Sequence, residues 1–396
     1  MLPSQRHLFS IPAEVTYLDA AYMSPIPNIS AEAGRDGVLV KAAPWDMTIN
    51  SYYDEVERAR ELAASFISAS IDDVGVIPAT SYGIAVAAAN VHVAAGSVII
   101  MMDNEHTSHR YAWYELAEKN GATVVTVPRD PDQDWGSALV AAIKGSTAPV
   151  SVVAGTIVHW FEGMSVDIQA VSDATHAVGA ALVMDGTQWV GAVPFDVSKV
   201  RPDFLSFATY KFLLGPYRLA FLYADKKWQE VGKPIEFHSW NRKGGDRSDF
   251  YLETMPDYLP GARRFDMGER SDFAVLPIAI RSLELLQSWG SAAVFERLVH
   301  LNQLIWQEAE ARGFEGPRKD LRAPHISVVE LGQRFRPDLA KNLKDNKAFI
   351  TVRGTKMRIT PHVYNEERDI RRLFELVDNL TALSRSIQGV SVRRAP

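Results

Sequence analysis

Val183-Met184-Asp185-Gly186-Thr187-Gln188 and, 26 residues beyond its aspartate, Phe207-Ala208-Thr209-Tyr210-Lys211-Phe212-Leu213-Leu214-Gly215-Pro216 are the two segments on which the reading of this chain turns. The second lies inside an apolar run from Phe204 to Tyr223. An ammonium group is rare in such a run unless it is paired or chemically used. The first segment is a strand of small apolar residues that ends in a carboxylate. Each residue alone has an ordinary explanation: a lysine stem snorkels to the surface, and a strand-end aspartate caps the next helix. Together, at this separation, the chemical reading outweighs the structural one.

Outward from this block, helical and strand patterns alternate from about Ser51 to Tyr223. Tyr52, Val56, Ala59, Ala63 and Phe66 recur at helical spacing and predict one amphipathic helix. Short apolar runs at 74–77, 97–102, 123–127, 150–154 and 181–184 predict strands, separated by helices at 81–93, 109–120, 137–144 and 167–179. Strands buried on both faces and alternating with helices make a mainly parallel, doubly wound sheet. After Pro234 the pattern changes: residues 238–250 are polar and read as an exposed loop, followed by helices at about 272–289 and 291–312. A smaller α/β unit runs from His325 onward, with strands near 326–330, 349–352 and 357–360.

The chain has 396 residues, 47% hydrophobic and 23% charged, with a formal net charge of −6, the profile of a globular protein with a large core. No basic stripe marks a nucleic-acid surface. The N-terminal residues lack a signal-peptide layout, and the nearly apolar stretch from Ala148 to Phe161 is too short to span a bilayer. A cytoplasmic protein with no nucleic-acid or membrane partner is expected. There are no cysteines, which excludes disulfides, thiolate metal sites and a cysteine nucleophile. Asp130-Pro131-Asp132-Gln133-Asp134-Trp135-Gly136 imitates a calcium loop, but its glycine is one place late and Ala141 stands where the bidentate glutamate belongs. No metal site is expected.

A strand-end aspartate followed by a buried lysine is the pair that a pyridoxal phosphate enzyme requires. The carboxylate keeps the pyridine nitrogen protonated, and the amine carries the cofactor as a Schiff base. Asp185, Gln188 and Lys211-x-x-x-Gly215-Pro216 together resemble the core of class V aminotransferase-like enzymes. These are fold type I pyridoxal phosphate proteins that include cysteine desulfurases, selenocysteine lyases, kynureninases and isopenicillin N epimerases. The resemblance runs from Tyr17-Leu18-Asp19-Ala20-Ala21 to the region of Arg358. It implies a fold type I architecture: residues 1–20 joined to the small domain, a large cofactor-binding domain over 21–265, and a small C-terminal α/β domain over 266–396. It also implies a homodimer.

The resemblance further assigns roles. Lys211 and His106 are the catalytic candidates, with His106 stacked on the pyridine ring and able to shuttle protons. Asp185 partners the ring nitrogen and Gln188 the ring hydroxyl. Thr80 and Ser81, between a strand and a helix, match the phosphate cup, where free N–H groups hold an anion. Tyr210 is a further phosphate ligand. Arg358 grips the substrate's α-carboxylate with both arms of its fork, and Tyr22 and His362 stand beside the substrate.

Three departures matter. Tyr210 precedes the lysine where desulfurases have histidine, and Ala208 replaces their serine two residues earlier. His159-Trp160 stands where many relatives have Ser-Asn, so Trp160 packs at the ring or offers its indole N–H. In Arg264-Phe265-Asp266-Met267-Gly268-Glu269-Arg270, the segment expected to reach the partner's phosphate, Glu269 replaces a small hydroxyl residue. Contact there falls to Gly268 backbone or Arg270. These changes resemble the isopenicillin N epimerase-like branch. The expected activity uses an external aldimine and Cα deprotonation of a small amino acid, ending in epimerisation or β-elimination and not in a persulfide-forming desulfurase reaction. Transamination is the alternative. Retention of Lys211, Asp185 and Arg358 together argues against a non-catalytic sensor.

Overall fold

The computed structural model describes residues 1–128, 133–246 and 256–388. The chain opens with β1 (Thr16–Tyr17), α1 (Asn28–Val40) and α2 (Asp54–Ser65). There follow β2 (Val74–Ile77), α3 (Thr80–Asn90), β3 (Val98–Met102), α4 (Thr107–Asn120), β4 (Thr123–Val127), α5 (Trp135–Gly145) and β5 (Val150–Thr156). A small ribbon, β6 (Val158–His159) and β7 (Met164–Ser165), precedes α6 (Ile168–Ala177), β8 (Ala181–Asp185), α7 (Val197–Val200), β9 (Phe204–Ala208), β10 (Ala220–Ala224) and α8 (Lys226–Val231). The remainder is α9 (Val275–Trp289), α10 (Ser291–Ala311), β11 (Ser327–Glu330), α11 (Leu339–Asp345), β12 (Ala348–Phe349), β13 (Thr351–Arg353), β14 (Lys356–Ile359) and α12 (Glu367–Gln388).

The large sheet has seven strands in the order β2-β10-β9-β8-β5-β3-β4. Four neighbouring pairs are parallel, and β10 runs antiparallel to both β9 and β2. The expected mainly parallel, doubly wound sheet is therefore present. β10 adds an antiparallel turn that the apolar run from Phe204 to Tyr223 conceals, because both of its strands are buried throughout. Only the edge strand β4 shows exposed positions along most of its length. The helix expected from Tyr52 to Phe66 is shorter, since Ile49–Tyr52 forms a separate 3-10 turn. The polar segment at 238–250 includes the 3-10 turn Ser239–Asn241, and its residues 247–250 lie outside the described residues, as do 130–132 of the calcium-loop imitation.

Local chemistry shapes the segment that carries Lys211. Thr209 Oγ1 donates to Pro216 O at 2.7 Å and lies 3.0 Å from Leu219 O, while Gly215 N donates to Thr209 O at 2.9 Å. A Cβ at Gly215 would sit 2.6 Å from Thr209 Cβ, so only glycine closes this loop. Ser282 Oγ of α9 donates to Leu214 O at 2.8 Å and shares a hydrogen bond with Ser30 Oγ of α1. The β9–β10 connection is thus fastened from inside and from below. α9 itself packs on α1 and α2.

The three-stranded sheet β11-β14-β13 covers a separate cluster built on Leu301, Ile305, Met357, Ile359 and Phe374. The N-terminal segment joins it: β1 pairs parallel with β12, and Asp19 bridges to Thr360. A buried ion pair ties α2 to the segment before α9. Arg60 and Asp266 are both fully buried and meet at 2.8 Å, and Asp266 Oδ1 also accepts from Val76 N at 2.8 Å. Removing one partner of such a pair leaves an uncompensated buried charge. Asp266→Ala should therefore lower the unfolding free energy by about 3–5 kcal/mol in urea titrations. Lys243→Ala, from an exposed pair with Asp257, should change it by less than about 1 kcal/mol.

Candidate active site

In an open α/β sheet, ligands bind outside the carboxyl ends of the strands. Here those ends deliver Thr80 after β2, His106 after β3, Thr156 from β5, Asp185 from β8 and Lys211 after β9. Together with Gln188 they line one narrow cleft.

Lys211 is 8% exposed, and its Nζ makes no hydrogen bond or ion pair among the described residues; it lies 5.5 Å from the centre of the Tyr210 ring. Burial pulls its ammonium down to about 8, with the positive charges of Arg358 and Arg353 adding to the effect and Asp185 and Asp19 opposing it. The result is an amine that is partly uncharged near neutral pH. Asp185 is also buried; its Oδ1 accepts from Thr187 N at 2.8 Å, which orients the carboxylate along the cleft floor.

His106 caps α4, and its Nδ1 accepts from Ser108 N at 3.3 Å, which leaves the ring proton on Nε2. Burial lowers its pKa, with Asp185 opposing, so the imidazole is held neutral. Trp160 meets His106 edge to face at 5.4 Å and donates its indole N–H to Asn104 O at 2.8 Å. That N–H is spent on the backbone, and Trp160 contributes its ring face to the cleft wall. Gln188 donates through Nε2 to Ala21 O at 3.1 Å, while its buried Oε1 has no partner among the described residues. Thr80 Oγ1 and Thr187 Oγ1 share a 2.9 Å hydrogen bond at the start of α3, and Ser81 beside them is exposed. The first N–H groups of α3 have no intrahelical acceptors. A Cβ at Gly83 would fall 2.5 Å from Ser206 Oγ, so glycine lets this helix end press onto β9.

These features fit pyridoxal phosphate. An unpaired buried amine, an oriented carboxylate, an orphaned buried amide oxygen and a helix N-terminus with hydroxyls lie around one cleft. In that arrangement Lys211 would bond the aldehyde carbon, Asp185 the ring nitrogen, Gln188 the ring hydroxyl, and Thr80, Ser81 and Tyr210 the phosphate. Tyr210 is half-buried, with its phenol pushed up to about 12 mainly by burial.

Arg358, expected to grip the substrate's carboxylate, lies on the small sheet. It is 5% exposed, lies 3.3 Å from Asp19 Oδ1 and 3.2 Å from Thr351 Oγ1, and keeps a buried Nε without a partner. Tyr22 is exposed. His362 stands apart from the cleft. It is fully buried, its Nε2 is 3.1 Å from Phe212 O and its Nδ1 accepts from Val363 N, so both ring nitrogens are engaged in the core. Gly268 and Arg270 are likewise outside the cleft. Gly268 N donates to Glu236, and Arg270, 1% exposed, meets Asp266 at 3.3 Å and donates to Trp240 O at 2.9 Å.

Sequence reasoning missed Thr187, Thr156 and Ser108 in the cleft, the pairing of Asp19 with Arg358, and Arg353 stacked on Trp160 beside it. For Thr187 a signal existed, since it directly follows the Asp-Gly of the decisive segment. Asp19 and Arg353 are brought in only by the pairing of the N-terminal segment and the β13–β14 hairpin.

Comparison with known proteins agrees with this geometry. Residues 46–372 match the family model described as Aminotransferase class-V. An uncharacterized aminotransferase, YcbU, of Bacillus subtilis (strain 168) is 24% identical over 94% of this chain and 97% of its own length. A probable cysteine desulfurase of Vibrio cholerae is 29% identical over 92% and 93%, respectively. Among solved structures, an apo cysteine desulfurase from Thermococcus onnurineus NA1 superposes with a TM-score of 0.83 at 19% identity, covering 96% of this chain and 99% of that one. A C-DES mutant with glycine covalently linked to its PLP cofactor gives 0.84 at 16% identity, covering 94% and 99%. At these identities the structures show a shared fold.

Attack on an aldehyde requires the uncharged amine. The rate of cofactor attachment to apoprotein should therefore rise with pH and level off above an inflection near 8, the value to which burial brings Lys211. Stopped-flow absorbance across a pH series reads this directly. An inflection above about 10, as for a solvated lysine, would mean that the amine is not desolvated.

Proposed function

The chain belongs to the aminotransferase class-V family, whose cofactor is pyridoxal phosphate, and from that premise we propose an enzyme that removes the α-proton of a small amino acid and completes either epimerisation or β-elimination. The observation that carries the proposal is the Lys211 amine: buried, unpaired, and placed between Asp185 and Arg358 in charge terms.

Bound pyridoxal phosphate supplies an electron sink for the pair left on Cα. Everything else falls to the protein. Arg358 holds the α-carboxylate with a guanidinium whose Nη2 already meets Asp19 and Thr351, whose Nη1 reaches Trp160 O at 3.4 Å, and whose Nε has no partner among the described residues. Lys211 accepts the α-proton, a task for which a pKa of about 8 is well matched to neutral pH. Asp185, pinned by Thr187 N, presents its carboxyl group at the far end of the cleft. The neutral His106 and the Trp160 ring close one wall and exclude water. Elimination needs only Lys211 as the proton carrier. Epimerisation also needs a donor on the opposite face.

Relatives named probable cysteine desulfurases set the main rival. A protein-bound persulfide requires a thiol to receive the sulfur, and the 396 residues contain no cysteine. That supports elimination or epimerisation over desulfuration through the protein. Aminotransferase activity is the second reading, favoured by the relative named for it.

A mass-resolved screen of L- and D-amino acids in deuterated solvent separates these reactions. Deuterium at Cα with inversion marks epimerisation. Ammonia plus a keto acid without an acceptor marks elimination, and a keto acid that appears only with an acceptor marks transamination. With L-cysteine, free sulfide and pyruvate are expected; stoichiometric alanine with sulfane sulfur would overturn the reading. Lys211→Ala should lose turnover by at least about a hundredfold, the usual contribution of a positioned acid–base group.

A further inference from the structure

β13 and β14 place four side chains on one face of the small sheet. Thr351 and Arg353 alternate onto the same side of β13, and their partners across the ladder are Arg358 and Lys356. This face looks onto Trp160 and Phe161 across a narrow hollow. Trp160 lines both this hollow and the cleft that contains Lys211, so the two spaces adjoin.

Three cations share that face, and their partners differ. Lys356 is answered by Glu162 at 2.8 Å. Arg358 is answered by Asp19 at 3.3 Å, with its Nε still free. Arg353 meets no carboxylate at ion-pair distance among the described residues; its guanidinium rests on the Trp160 ring, 4.4 Å from the centroid. Stacking on an indole is a common resting place for an exposed arginine and by itself points to nothing. What distinguishes Arg353 is where its charge is felt. It adds to the depression of both Lys211 and His106, and Asp19 acts on it in return. Stacking also leaves the edge N–H groups of the guanidinium unused, since they lie in the plane of the fork.

We propose that Arg353 is a specificity-determining residue that receives a second anionic group at the side-chain end of the substrate, so that the preferred amino acid carries a side-chain carboxylate. The proposal rests on the function proposed above and deepens it. Arg358, buried and ordered, takes the α-carboxylate. Arg353, exposed and stacked on the wall residue Trp160, takes the distal one. Two guanidinium groups with donors to spare suit a dicarboxylic amino acid better than one with a neutral side chain.

The test uses isosteric pairs that differ only in charge: L-aspartate against L-asparagine, and L-glutamate against L-glutamine. Dissociation constants are read from the absorbance change of the holoenzyme during titration, with kcat/KM alongside. Wild-type protein should prefer the acid over its amide at least tenfold in one of the two pairs. Arg353→Gln should reduce that ratio at least tenfold, Arg353→Lys should restore part of it, and Arg353→Glu should reverse it. A ratio that is the same in wild type and Arg353→Gln, or an amide preference in wild type, overturns the assignment of Arg353 while leaving the proposed function standing. A holoenzyme whose spectrum responds to no amino acid overturns both.

Discussion

An amine with no counter-ion at bonding distance among the described residues, held out of water at the carboxyl edge of a seven-stranded sheet, is the constraint on which this structure depends. Burying a cation this way is unfavourable unless the group shifts toward its neutral form. Lys211 does so, and a rigid setting prevents it from swinging back to solvent. Thr209 and Gly215 close the loop that carries it, and Ser282 of α9 ties that loop from beneath. An exposed or mobile lysine would recover its ordinary pKa near 10.4 and lose the nucleophile at neutral pH.

The two ends of the site come from parts of the chain that meet only through tertiary pairing. Asp185 and Lys211 are set by adjacent strands of the large sheet. Arg358 belongs to the small sheet, and it is oriented by Asp19, a residue nearly the whole chain away in sequence. The link is the N-terminal strand, which pairs with β12 and then passes Ala21 to the Gln188 amide. One N-terminal segment therefore connects Gln188 in the cleft to Arg358 on the small sheet. Trp160 works the same seam from the other side, touching His106, Asn104, Arg353 and, through its carbonyl, Arg358.

Much of this was legible in the sequence. The strands around Asp185 and Lys211 announced themselves because they are buried on both faces and read as apolar runs. The Asp–Lys pair was legible because charged groups in such runs need a reason. The antiparallel β10 was not, since an apolar run carries no mark of direction, and the turn that reverses it is encoded in the contact of Thr209 with Gly215. His362 illustrates a limit of motif reading. It lies four residues beyond Arg358, but its side chain turns inward beneath Phe212, where both nitrogens find backbone partners. Arg353 and Asp19 carried no periodic or compositional signal, because their roles follow from a hairpin and an N-terminal strand that only the fold brings together.

Among the lysines of the chain, Lys211 is the one we propose to bond the cofactor. Borohydride reduction of the purified holoprotein, followed by peptide mass mapping, tests it most directly. A single pyridoxyl adduct is expected on the peptide that contains Tyr210-Lys211-Phe212. An adduct on another lysine, or none in a protein shown to contain the cofactor, would contradict it.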